Sequence, residues 1–133
     1  MSPAAPTAGA RAMPVSSPAE VPTSASLRLR LAALVRAAAL ATPGVVDLDA
    51  GRTGIRMTAS EGLRVDGVVC AALPGGRYQA SVHVVAAMVP LRPLAEAVRA
   101  RVERDAAIAG LEARLGPVDV AVEDVRAPAE TRP

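Results

Sequence analysis

The apolar residues of this chain first fall into a helical rhythm. Leu27, Leu31, Leu34, Val35 and Ala38 recur at i, i+4, i+7, i+8 and i+11, the stripe that lets one helix face be buried. Ser24 or Ser26 can cap this helix, and Thr42-Pro43-Gly44 ends it. A second stripe of Leu94, Ala95, Val98, Val102 and Ala106 follows Pro90 and Pro93 and runs to about Ala109. Its opposite side carries Arg92, Glu96, Arg99 and Glu103, spaced for i, i+4 ion pairs.

Between and after these helices the period shortens to two. Residues 45–50 place Val46 and Leu48 against Asp47 and Asp49, Gly51 and Gly54 bracket a turn, and residues 55–58 read as a further short strand. Segments 63–73 and 77–88 flank Pro74-Gly75-Gly76, a hairpin signal, because glycine reaches positive φ without a steric penalty. In the second of these strands Tyr78, Ala80, Val82, Val84 and Ala86 share one face, opposite Gln79, Ser81 and His83. In the first, Leu63, Val65 and Val69 share a face, but Val68 beside Gly67 interrupts the alternation and predicts a bulge or a switch to two-sided burial. A last strand, 118–125, sets Val118, Val120 and Val122 against Asp119, Ala121 and Glu123.

The order helix, short strands, hairpin, helix, strand predicts an α+β fold, with two helices packed on one face of a small, mostly antiparallel sheet. Residues 24–126 form one domain in this reading. The five prolines among Ala, Ser and Thr in residues 1–23 bury too little to offset ordering entropy, so that stretch is expected to be a disordered tail, and 127–133 a shorter flexible one.

Composition changes the picture in two ways. Ala supplies 30 of the 133 residues, and Phe and Trp are absent, so the core must be built from Val and Leu with Ala as spacer. Such a core is thin, and an interface between copies would extend it. All 15 basic residues are Arg against 13 acids, a bias that GC-rich codons explain. A net charge of +2 argues against nucleic acid or acidic lipid as a partner.

Candidate chemistry is sparse. Cys70 is the single cysteine, so no internal disulfide forms, and a reducing, cytoplasmic home is expected. No uninterrupted apolar run follows a basic start, and no run reaches the length of a membrane span. His83 shares a strand face with Ser81, and a Ser-His-acid set with Asp119 or Glu123 is conceivable, yet i, i+2 spacing on a strand implies no pocket. Cys70 reads as a buried structural thiol, and Asp47, Asp49 and Asp66 are too scattered for a calcium loop. Gly51-Arg52-Thr53-Gly54 matches the GXXG of KH domains in letters, but strand-like segments flank it rather than two helices. Arg28, Arg30 and Arg36, with Arg99, Arg101 and Arg104, could form a basic patch for acidic lipid or a partner, but acidic neighbours around the second group favour a solvated helix surface. No catalytic, cofactor-binding or metal residue is assigned, and no small-molecule substrate is inferred.

Taken in order, several short motifs resemble the alkaline shock protein family of envelope stress response proteins. They are Ala41-Thr42-Pro43-Gly44-Val45 closing a helix, Ser81-Val82-His83-Val84-Val85, Val89-Pro90-Leu91 leading into Ala95-Glu96-Ala97-Val98-Arg99, and the run from Gly116-Pro117 to Val125. The family usually has an acid before its Pro-Gly-Val turn, where this chain has Ala41 and Thr42, which fits a divergent member from a high-GC bacterium. The resemblance implies a non-enzymatic cytoplasmic protein that self-associates into homo-oligomers. In some members a membrane-anchored protein partner recruits it to the membrane. The alternative reading from the residues is a small KH-like nucleic-acid-binding protein using Gly51 to Gly54 with Arg52 and Arg56. A hydrolase built on Ser81 and His83 is the third.

Overall fold

A computed structural model describes residues 24–52, 54–60 and 62–127. The tail expected at 1–23, and all of the one at 127–133 except Ala127, lie outside the described residues. Helix α1 spans Ser24–Leu40, so Ser26 lies inside it, and α2 spans Leu91–Ile108. The strands are β1 (Val45–Leu48), β2 (Met57–Ser60), β3 (Leu63–Asp66), β4 (Val68–Leu73), β5 (Arg77–Ala87) and β6 (Leu115–Arg126). The α+β order agrees with the hydrophobic pattern.

Strand β5 is the axis of the main sheet. One of its edges is shared end to end, pairing antiparallel with β4 through Val68↔Val82 to Leu73↔Arg77 and with β1 through Leu48↔Val84 to Val45↔Ala86. The handover falls at His83, whose N–H donates to Gly67 O (2.8 Å) and whose carbonyl accepts from Asp49 N (2.8 Å). Along the other edge β6 runs parallel to β5, from Tyr78↔Leu115 to Ala87↔Arg126. A parallel neighbour needs a crossover, and α2 supplies it.

The segment expected as one strand over 63–73 is two. Gly67, at φ +85°, breaks it so that β3 turns away to pair with β2 in a separate two-stranded sheet. A Cβ at Gly67 would lie 2.6 Å from Leu48 Cβ, so the junction of β1 and β4 requires glycine for space as well as for φ. Leu63, grouped with Val65 and Val69 by parity, is consequently 63% exposed. The strand expected at 55–58 lies two residues later, and Ile55 is an exposed loop residue. A short 3-10 turn at Glu112–Arg114 precedes β6, which begins three residues before the expected 118.

The core lies between the helices and one face of the sheet. Tyr78, Ala80, Val82, Val84 and Ala86 of β5 meet Leu31, Val35 and Ala38 of α1 and Leu94, Val98, Val102 and Ala106 of α2. Its largest fully buried side chains are Leu, Val and one Thr, as the absence of Phe and Trp requires. Ala32 and Ala39 add a second buried flank to α1, and the small hairpin β2–β3 packs over that helix. The helix ends where Thr42, buried, donates its hydroxyl to Ala38 O at 2.9 Å and Gly44 adopts φ +99°.

Candidate functional site

Four groups from distant segments meet on the sheet face that the helices leave open. His83 Nδ1 lies 2.7 Å from Glu123 Oε2, and Arg56 places one guanidinium nitrogen 3.0 Å from Glu123 Oε1 and 3.8 Å from Asp49. A short distance along the same face, Gln79 donates to Asp119 Oδ2 at 2.6 Å. Of the two acids weighed beside Ser81 and His83, Glu123 is thus the one that reaches the imidazole. Asp119 is taken by Gln79 instead, and Glu123 lies at the register shift of β6 between Val122 and Asp124. The carboxylate fixes the ring's orientation. Ser81 shares the face without a hydrogen bond to His83, so the structure brings together an oriented imidazole and an acid but no engaged nucleophile.

Cys70 is buried, and burial pushes its thiol up to about 11, so it stays protonated at neutral pH. Gly51 and Gly54 turn the loop between β1 and β2, with Gly54 N donating to Gly51 O at 3.1 Å, and strands flank them as expected. The arginines do more than solvate helix surfaces. Arg28 donates to Ala59 O, Arg77 to Leu115 O, Arg99 to Val118 O and Arg114 to Gly76 O, each tying a separate segment to the sheet or to its neighbour. The pair Arg99–Glu103 drawn by spacing gives way to the Arg99 contact with β6. Arg101 Nε is shielded from solvent and has no hydrogen-bond partner.

Two surfaces were not singled out by the sequence. At one end of the sheet Met88, Val89, Leu91 and Val125 are all exposed and line one depression with Pro90. The signal for it was present, since Met88 to Leu91 is an apolar run belonging to neither helical stripe. The second surface is the outer edge of β6, which no strand covers among the described residues. The opposite edge is closed differently. Thr58, 1% exposed, donates its hydroxyl to Val68 O (2.8 Å) and accepts from Cys70 N (3.1 Å), so one side chain of β2 satisfies two backbone groups of β4.

No family model, curated protein or solved structure matches the chain. None of the described helices is long and apolar enough to cross a membrane.

Proposed function

We propose that the chain is a non-enzymatic interaction or scaffold module of the envelope stress response, acting as a homo-oligomer in the cytoplasm and reaching the membrane through an anchored protein partner. The observation that carries the contact-based part of this reading is the outer edge of β6, which no other strand pairs among the described residues, continuous at Val125 with the exposed apolar end formed by Met88, Val89 and Leu91. An unpaired strand edge presents N–H and C=O groups that another chain can satisfy, and an adjoining apolar patch adds burial. The thin Val, Leu and Ala core is a reason for a small domain to gain stability from a second copy. The envelope role rests on the family resemblance of the segment order.

Light scattering across a concentration series and affinity recovery from membrane extracts test it. The expected results are a mass above that of one chain and retention of an envelope protein. A strict monomer at every concentration that retains no envelope protein overturns it.

A further inference from the structure

The edge of β6 has a phase that can be read residue by residue. Ala80, Val82, Val84 and Ala86 of β5 pair with Val118, Val120, Val122 and Val125, so those four residues of β6 share the side-chain face that looks toward the helices. Ser81, His83, Val85 and Ala87 pair with Asp119, Ala121, Asp124 and Arg126, which share the open face. Arg99 Nε reaches Val118 O at 3.0 Å from outside the ladder, and this sets the backbone groups of Val118 outward. By alternation those of Val120 and Val122 also point outward, and the bulge at Glu123 resets the phase so that Val125 does too.

Two copies can pair such edges antiparallel about a two-fold axis only in registers that keep faces and outward groups matched. Of the matched registers, the one centred between Val122 and Glu123 sets Asp119 opposite the second copy's Arg126, twice by symmetry. It also sets Val120 opposite Val125, twice, as mutually hydrogen-bonded pairs. Sliding one way puts Asp119 opposite Asp124, and sliding the other puts Glu123 opposite Asp124; like charges directly opposed disfavour both. Asp119 has an oxygen to spare, because Gln79 binds only its Oδ2, and Arg126 is exposed.

We propose that a second copy of this chain docks on the outer edge of β6 in that register, joining the two sheets into one with the helices of both copies on the same side. This inference rests on the self-association proposed above and specifies its interface.

Mixing Val120→Cys with Val125→Cys protein under mild oxidation tests the register. Hydrogen-bonded antiparallel pairs lie about 5.5 Å apart at Cα, within disulfide reach, so the mixture is expected to give a covalent dimer. Each variant alone is not, because its own cysteines would sit five residues out of register. Wild type, with Cys70 buried, is the blank. In parallel, Arg126→Asp or Asp119→Arg is expected to weaken dimerisation about tenfold by opposing like charges twice, and the double exchange to restore it. An oligomer that forms without the mixed cross-link and ignores the charge exchange overturns this interface while leaving self-association standing. A monomer at all concentrations overturns both.

Discussion

Replacing Thr58 with Val changes one oxygen for one methyl group and keeps the shape and strand preference of the side chain. The hydroxyl it removes serves two backbone groups in a site that is 1% exposed, donating to Val68 O and accepting from Cys70 N. Both groups lie on the outward edge of β4, where no further strand pairs among the described residues, and no other hydrogen-bond partner serves them there. A buried backbone group left unpaired costs about 1–3 kcal/mol, giving a destabilisation of about 2–6 kcal/mol for the pair. Against a whole-domain stability of about 5–15 kcal/mol, that is a large fraction. Thr58→Ser keeps the hydroxyl and loses one methyl group, about 0.8 kcal/mol. Urea unfolding followed by circular dichroism separates the two. With a slope of about 1–1.5 kcal/mol per molar for a domain of this size, the midpoint should fall by more than about 1.3 M for Thr58→Val and by less than about 1 M for Thr58→Ser. If Ser is as damaging as Val, the site is held by packing, and the account of a hydroxyl closing the β4 edge is wrong.

Three further outcomes follow from the packing of the fold. Because the folded-state pKa of Cys70 is raised from 9.0 to about 11 by burial, the unfolded chain releases its proton first; stability should be unaffected below pH 9 and decline between pH 9 and 11. Cys70→Ala should flatten that part of the pH profile, and an unchanged slope would refute the assignment. Gly67→Ala combines a φ of +85° with a Cβ 2.6 Å from Leu48 Cβ and should cost about 2–4 kcal/mol, whereas Gly75→Ala, at φ +86° with open space around it, should cost only about 1–2 kcal/mol. Equal midpoints in denaturant would remove the steric part of the argument. Val98→Ala, in the fully buried stripe of α2, should lower stability by about 2–3 kcal/mol. By contrast Leu63→Ala should stay within about 0.5 kcal/mol, as a surface substitution does.

Much of the fold was legible because local periodicity reports which face of an element is wet. The stripe of α2 and the alternation of β5 predicted the buried residues Leu94, Val98, Val102 and Ala106 and Tyr78, Ala80, Val82, Val84 and Ala86. Parity failed at Leu63, since period two says that residues 63, 65 and 69 share a face only while the strand stays straight, and Gly67 turns it. The disturbance was visible in Val68 beside Gly67; its consequence, a separate hairpin over α1, was not. Among the site residues, the acid partner of His83 was narrowed to two, and cross-strand contacts decided between them, with Gln79 holding Asp119 and Glu123 reaching His83.

What the sequence determined by itself was therefore the order of the helices and of the main-sheet strands, the Val, Leu and Ala character of the core, and the hairpin at Pro74-Gly75-Gly76. These depend on neighbours a few residues apart, where spacing and backbone preference act directly. Tertiary structure alone decided that β6 lies parallel to β5, that Thr58 closes the β4 edge, and that Glu123, Arg56 and Asp49 gather around His83. Each joins positions too far apart in the chain for periodicity to relate. Which edge of the sheet no described strand pairs is settled by the same long-range pairing, because a backbone hydrogen bond carries no side-chain signature from which its partner could be read.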